Sequence, residues 1–128
     1  MNIHESAEDY LEAILRLSED KGQVRSIDIV NELGYSKPSI SIAMKKLREN
    51  GYIDVDDDGF ITLNTSGLQI AKKVYGSHQI LMNFLIQIGV SSKNAEADAC
   101  KIEHILSEET YEKLKLFALS NERSKAIK

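Results

Sequence analysis

The feature that most constrains the fold is a tight turn in residues 52–63, whose sequence is YIDVDDDGFITL. Asp58-Gly59 is a residue pair favoured by two-residue hairpin turns, because the central positions of such turns need a positive φ. On either side of the turn, apolar residues alternate with polar ones, which is typical of short strands. Most of the remaining chain has apolar residues at helical spacing, so we predict a small β-hairpin within a mainly α protein.

Three helical segments are predicted before the hairpin. The first has apolar residues at helical spacing between Tyr10 and Leu17, and we expect Ser6 to be its N-cap and Lys21-Gly22 to end it. A second, short helix is predicted over residues 26–33. Its buried side is expected to carry the apolar residues Ile27, Val30 and Leu33.

The third helix is predicted to start near Lys37, after a break at Gly34, and to end at Asn50-Gly51. Pro38 falls in its first turn, where the missing N–H costs nothing. The apolar residues at core-facing spacing are Ile40, Ala43, Met44 and Leu47. A helix, a helix-turn-helix and a hairpin in this order make up a winged helix-turn-helix domain, which we assign to residues 1–63.

The predicted third helix is basic although the protein is acidic. The chain has 16 Lys and Arg against 20 Asp and Glu, and its net charge of -4 does not indicate a general nucleic-acid binder. Residues 36–48, SKPSISIAMKKLR, contain no acid, and the second helix of a helix-turn-helix enters the major groove with its N-terminal end leading. The residues predicted to contact DNA are Ser26, Ser36, Lys37, Pro38, Ser39, Ser41, Lys45 and Lys46. The wing tip, residues 56–59, is acidic, and we expect it to stay away from the phosphates.

Residues 64–128 are predicted to form a second, helical domain. A long apolar-rich helix covers residues 68–88, with a break at Gly76 and an end at Gly89. Ser92 is expected to cap the next helix, and Ser107 the last one. The apolar face of the last helix is predicted to carry Tyr111, Leu114, Phe117 and Ala118.

The segment ADACKIEHILS, residues 97–107, holds the only cysteine of the chain. On a helix, Cys100, Glu103 and His104 fall within roughly 60° of one another, because successive residues advance by about 100°. Thiolate, carboxylate and imidazole are all metal ligands, and Glu96 shares the face one turn earlier. The alternative is a buried cysteine beside two solvated polar residues, which is common for a free cysteine.

Further metal ligands would have to come from distant parts of the chain. Asp9 and Glu12 share one face of the first helix, although acids near a helix N-terminus are also favoured by the helix dipole alone. His78 lies in the long helix, where it could equally be a core or interface histidine.

The bulk properties of the sequence indicate a cytoplasmic protein. No apolar run reaches the roughly 18 residues of a transmembrane helix. The N-terminal residues are polar and acidic, which argues against a signal peptide. A single cysteine cannot form an internal disulfide, which fits a reducing compartment.

These motifs resemble those of the DtxR/MntR family of metal-dependent transcriptional repressors. The resemblance covers nearly the whole chain and is carried by AEDYLEAI (residues 7–14), SKPSIS (36–41), LNTSG (63–67), the helix around His78 and DACKIEHILS (98–107). It implies a winged-helix repressor that dimerises through its C-terminal helices. It also implies that the homodimer needs a bound divalent metal to bind double-stranded operator DNA. Neither a membrane nor a small-molecule substrate is expected as a partner.

The resemblance also implies a metal-ligand set. The matching positions are Asp9, Glu12, His78, Cys100, Glu103 and His104, with Glu96 at an ancillary site of the iron sensors. Manganese sensors have aspartate at the position of Asp9, whereas iron sensors have cysteine at that of Cys100, so this chain is a hybrid. Iron sensors use a histidine and a glutamate at the ancillary site, where this chain has Glu96 and Met82, and Met82 puts a copy of that site in doubt.

The hybrid set predicts Mn²⁺ or Fe²⁺ as the bound metal. The carboxylates suit these hard ions, whereas the soft thiolate favours Fe²⁺, Co²⁺ or Zn²⁺. Co²⁺, Ni²⁺, Zn²⁺ and Cd²⁺ are expected as substitutes in vitro.

Three other functions fit parts of the sequence. The first is a winged-helix regulator in which Cys100 senses redox state without a metal. The second is a metalloenzyme using Glu103 and His104, but no substrate pocket or nucleophile motif is evident, so we expect no enzyme. The third is a protein-interaction module, against which the acid-free recognition helix argues.

Overall fold

The computed structural model describes residues 5–127, and the side chains of residues 6–120. Within this range the chain forms six helices and one antiparallel pair of strands, which confirms the predicted mainly α fold with a small hairpin. The elements in chain order are α1 Glu5–Lys21, α2 Ser26–Leu33, α3 Lys37–Glu49, β1 Ile53–Val55, β2 Ile61–Leu63, α4 Thr65–Gln87, α5 Ser92–Ile102 and α6 Glu108–Ile127. Two compact units are present, Met1–Lys73 and Val74–Lys128, called here the first and second units.

The core of the first unit is built from the apolar faces of α1, α2 and α3. On α3, the predicted core residues Ile40, Met44 and Leu47 are at most 5% exposed. On α2 the predicted buried side is wrong, because Ile29 is fully buried while Ile27 is 43% exposed. Since α2 packs against both α1 and α3, the position of its buried side follows from two neighbours and not from the spacing of its own apolar residues.

Glycines and caps set the ends of these helices. Gly22 ends α1 and Gly34 ends α2, both with a positive φ that only glycine adopts at little cost. Ser36 is the N-cap of α3, and Pro38 lies in the first turn as predicted. Ser6, predicted as the N-cap of the first helix, lies inside α1, which begins at Glu5.

The hairpin forms at the predicted place. Ile53 pairs with Leu63, and Val55 pairs with Ile61. In the turn, the side chain of Asp56 accepts hydrogen bonds from the backbone N–H groups of Asp58 (3.0 Å) and Phe60 (2.9 Å). These bonds hold the acidic wing tip in a fixed loop.

The hairpin is also anchored to the rest of the first unit. The N–H of Ile61 donates to the carbonyl of Val24 at 2.7 Å, which ties the hairpin to the segment before α2. At the start of α4, a Cβ at Gly67 would overlap the backbone carbonyl of Tyr52, so only glycine lets α4 lie this close to the hairpin.

In the second unit, α4 runs without interruption through Gly76, where a break was predicted. Gly76 keeps a helical backbone, and a Cβ there would lie 2.9 Å from the hydroxyl oxygen of Tyr111 on α6. This glycine therefore permits close packing of two helices instead of breaking one.

Of the two predicted N-caps in the second unit, one is confirmed and the other lies one residue earlier than predicted. Ser91 caps α5 in place of the predicted Ser92, accepting from the N–H of Asn94 at 3.4 Å. Ser107 caps α6 as predicted, accepting from the N–H of Thr110 at 3.1 Å. Across residues 5–127, none of the helices combines the length and the apolar character needed to span a bilayer.

Candidate metal centre and DNA-binding face

The predicted ligand segment lies at the end of α5 and in the turn that follows. The helix ends at Ile102, and Glu103 caps it with an α-helical backbone and an N–H bond to the carbonyl of Ala99 at 2.9 Å. Cys100 and Glu103 therefore keep helical spacing. His104 lies beyond the helix, which corrects the expectation that all three side chains project from one helical face.

Three potential metal donors from two helices meet in the second unit. The Nδ1 atom of His78, on α4, lies 2.8 Å from Oε2 of Glu103 and 3.8 Å from Sγ of Cys100. Donor atoms of the three residues all lie within 4.8 Å of one another. We call His78, Cys100 and Glu103 the donor triad.

The carboxylate of Glu103 is buried between two imidazoles. Its side chain is 2% exposed, and its other oxygen, Oε1, lies 3.5 Å from Nε2 of His104, whose side chain is 3% exposed. A buried carboxylate is costly unless a positive charge or several hydrogen bonds compensate it. An imidazolium or a metal cation in this position would supply that compensation.

The donor triad fits a divalent transition metal. Imidazole, thiolate and carboxylate are the side chains that bind such ions, and their donor atoms already converge. Cys100 is exposed, so the thiol side of the triad is accessible to an incoming ion. Nothing in the local geometry has to be rebuilt to bring these three donors together.

Two further positions that the resemblance singled out, Glu96 and Met82, are not members of the donor triad. Glu96 is exposed and lies one turn before Cys100. Met82 is half-buried on α4, one turn after His78. Asp9 and Glu12 lie on α1, in the first unit, and their role as ligands stays a prediction.

Glu12 is not a solvated N-terminal acid. Its side chain is 8% exposed, and Oε1 lies 3.5 Å from Nε of Arg16. Arg16 reaches on to Glu32 of α2 at 3.2 Å. Arg16 was absent from the predicted site, although a glutamate four residues before an arginine is a recognisable helical pair.

The predicted DNA-contacting residues of α3 lie on its outer surface. Six of them are exposed: Lys37, Pro38, Ser39, Ser41, Lys45 and Lys46. Ser36, also exposed, already has a structural role, because its hydroxyl accepts from the N–H of Ser39 at 3.3 Å and bonds the hydroxyl of Ser39 at 2.9 Å. Ser26 is half-buried as the first residue of α2.

A further cation lies between α2 and the hairpin. The guanidinium of Arg25 stacks 4.3 Å above the ring centre of Phe60, at the base of the wing. Arg25 is exposed and directly precedes α2, next to the predicted Ser26. Sequence reasoning missed it because the stacking partner lies 35 residues away in the chain.

Two family models match the chain and together cover most of it. The N-terminal DNA binding domain of the iron dependent repressors matches residues 2–59. The metal binding and dimerisation domain of the iron dependent repressors matches residues 64–124.

Similar proteins include curated regulators and solved structures. An uncharacterised HTH-type transcriptional regulator of Methanocaldococcus jannaschii is 35% identical over 115 residues, covering 88% of this chain and 92% of that protein. The transcriptional regulator MntR of Escherichia coli is 35% identical over 113 residues, covering 88% of this chain and 73% of that protein.

Two solved structures share the fold. The manganese regulator SloR is 26% identical with a TM-score of 0.76, covering 92% of this chain and 54% of that one. A manganese-dependent transcriptional repressor in complex with manganese is 27% identical with a TM-score of 0.77, covering 86% of this chain and 51% of that one. This chain therefore spans about half the length of these two proteins.

Proposed function

Because the chain belongs to the DtxR/MntR family of metal-dependent transcriptional repressors, we propose that it binds operator DNA as a homodimer when Mn²⁺ or Fe²⁺ is bound. The observation that carries this proposal is the donor triad, in which an imidazole, a thiol and a buried carboxylate converge. Members of the family are regulators of transcription, and we propose no catalytic activity. The protein would act where the chromosome is, in the cytoplasm.

His78, Cys100 and Glu103 would hold the metal, with His104 beside the same carboxylate. Asp9 and Glu12 are proposed as further oxygen ligands on the basis of the family resemblance. A bound divalent cation supplies positive charge that compensates the buried carboxylate of Glu103. The side chains of the triad come from α4 and from the end of α5, so they tie these two helices together.

The choice of metal rests on the donor types. Carboxylate oxygens suit Mn²⁺ and Fe²⁺, and the thiolate of Cys100 shifts the preference towards Fe²⁺ and softer ions. Among the similar proteins, SloR is a manganese regulator, and another is a manganese-dependent repressor in complex with manganese, which supports manganese as a candidate. We therefore propose a responder to manganese, iron or both, with Co²⁺, Ni²⁺, Zn²⁺ and Cd²⁺ as substitutes in vitro.

Exposed apolar side chains in the second unit support dimerisation there. Leu116, Phe117 and Leu119 on α6 are 58%, 52% and 46% exposed. Leu116 and Leu119 lie one turn apart on this helix, and exposed large apolar side chains of this kind are consistent with a protein–protein interface. A dimer would also present two copies of α3, as a palindromic operator requires.

The proposal is tested with fluorescence anisotropy of labelled duplexes that the metal-loaded protein selects from a random library. We expect tight binding in Mn²⁺ or Fe²⁺ and loss of binding in excess chelator. Asp98→Asn, an exposed acid on α5 outside the triad, is the matched control and should behave as the wild type. Equal affinity with metal and with chelator would refute the proposal and favour a regulator that uses Cys100 without a metal.

A further inference from the structure

Ile42 is an apolar residue in an unusual place on α3. It is 58% exposed, the most exposed of the large hydrophobic side chains described in the first unit. The other isoleucine of this helix, Ile40, is fully buried. A single exposed apolar residue is common on protein surfaces and by itself needs no explanation. What distinguishes Ile42 is its position on the helix.

Helical geometry places Ile42 on the outermost line of α3. At about 100° per residue, Ile42 lies roughly 140–160° around the axis from each of the buried residues Ile40, Met44 and Leu47. Pro38 and Lys45 fall within roughly 60° of it and are exposed. Ile42 therefore points directly away from the core, on the same ridge as residues predicted to contact DNA.

The residues around Ile42 have the chemistry expected of a surface that contacts DNA. The hydroxyl of Ser41 and the ammonium of Lys45 are exposed beside it, and residues 36–48 contain no acid that would repel phosphates. Ile42 is the sixth residue of α3, so it lies within the N-terminal half of a helix that leads into the major groove. At this depth a side chain reaches base edges, while lysines one turn further on reach the flanking backbone.

The chemistry of isoleucine restricts what it can recognise in that groove. Its side chain has neither a donor nor an acceptor, so it cannot pair with the polar edges of guanine, cytosine or adenine. Thymine alone presents an apolar group in the major groove, its C5 methyl. An aliphatic side chain packed on that methyl would remove apolar surface from water on both partners.

We propose that Ile42 is a specificity-determining residue that contacts the C5 methyl of one thymine in each operator half-site. The inference rests on the DNA-binding part of the proposed function and not on the assignment of any metal ligand. It extends the predicted DNA-contacting set by an aliphatic residue that the sequence analysis did not include.

The test removes the methyl group and nothing else. Each thymine of a selected duplex is replaced in turn by deoxyuridine, and affinity is measured by anisotropy with the metal-loaded wild type and with Ile42→Ala. At one thymine in each half-site, we expect deoxyuridine to weaken wild-type binding about fourfold. This factor corresponds to the free energy of burying one methyl-sized group. Replacing both half-sites should multiply to about sixteenfold. Ile42→Ala should be indifferent to deoxyuridine at that position.

Controls separate this inference from other failures. Glu49→Gln, an exposed residue at the C-terminal end of α3 outside the predicted DNA-contacting set, should keep the full sensitivity to deoxyuridine. Ile42→Ala should melt and bind metal as the wild type does, because the side chain is exposed. The inference is overturned if no thymine shows the effect in the wild type, or if Ile42→Ala retains it. If the wild type binds duplex equally with chelator, the proposed metal switch fails, while the deoxyuridine comparison still decides the role of Ile42.

Discussion

Replacing Glu103 with glutamine is the sharpest perturbation of the proposed metal centre. Glutamine has the same shape and keeps one carbonyl oxygen, but it removes the buried negative charge. In the metal-free protein the bond to His78, 2.8 Å long, becomes weaker because its acceptor is no longer charged, and this loss is offset by the relief of burying a carboxylate whose side chain is 2% exposed. Because these two effects oppose each other, we expect metal-free stability to change by less than about 1 kcal/mol.

In the metal-loaded protein the same change should have a large effect. Loss of a residue that only hydrogen-bonds to a metal ligand lowers metal affinity about 10–100-fold. Loss of the only carboxylate in the donor triad should therefore lower metal affinity by at least about 100-fold. At a free metal concentration of about 100 times the wild-type Kd, binding stabilises the wild type by about 2.7 kcal/mol. A 100-fold weaker site would gain only about 0.4 kcal/mol under the same conditions.

The assay is thermal unfolding with Mn²⁺ and with chelator. At roughly 4 °C per kcal/mol for a chain of this size, the metal-induced rise in Tm should fall from about 11 °C to about 2 °C in Glu103→Gln. The control Asp98→Asn should keep the full rise. A Glu103→Gln variant with an undiminished metal-induced shift would refute the placement of the metal at the donor triad.

Three other changes have expected outcomes that follow from single contacts. Cys100→Ser should keep Mn²⁺ binding and weaken Co²⁺ and Zn²⁺ most, because a hard oxygen replaces a soft sulfur; competition titrations that give an unchanged metal ranking would argue against a thiolate ligand. Asp28→Asn tests a pH dependence. Hydrogen bonds from the side chain of Lys21 and from the backbone N–H of Arg25 lower the pKa of Asp28 in the folded protein. The carboxylate therefore adds about 1 kcal/mol to the free energy of unfolding above its unfolded pKa of about 3.9, and this stabilisation is lost as the pH falls through the lower folded pKa. Denaturant unfolding should therefore separate wild type from Asp28→Asn at neutral pH and bring them together in acid; a gap that persists in acid would contradict this. Gly67→Ala should lower stability by roughly 1–3 kcal/mol because its Cβ would overlap the carbonyl of Tyr52, and an unchanged Tm would show that α4 can move away.

The sequence was most informative where local chemistry decides the structure. The hairpin around Asp58-Gly59, the proline in the first turn of α3 and the cap at Ser107 all depend on residues a few positions away, and each was predicted correctly, although the hairpin connection spans residues 56–60 and only Gly59 has a positive φ. Gly76 was misread because its role depends on Tyr111, a residue of another helix. Ile27 was misread and the buried Ile29 was missed for the same reason, since two neighbouring helices determine which side of α2 is buried.

The candidate site shows the same difference between features set by local sequence and features set by tertiary packing. Helical spacing alone brought Cys100 and Glu103 together, whereas His78 is 22 residues before Cys100 and entered the set through the family resemblance. Neither source indicated that Glu103 is buried between His78 and His104, because burial depends on tertiary packing. Arg16 and Ile42 were not predicted as site residues, because the role of Arg16 depends on the burial of Glu12 and that of Ile42 on its exposure, and both depend on tertiary packing.

The measurement that tests the central claim most directly is a Co²⁺ titration followed by two signals in the same sample. One is the absorption band of a cobalt–thiolate bond, and the other is the anisotropy of a labelled selected duplex. The account predicts that both signals rise together and saturate at the same Co²⁺ concentration, and that Cys100→Ser loses the band. DNA binding that is complete before any Co²⁺ is added, or a saturated site without the thiolate band, would contradict it.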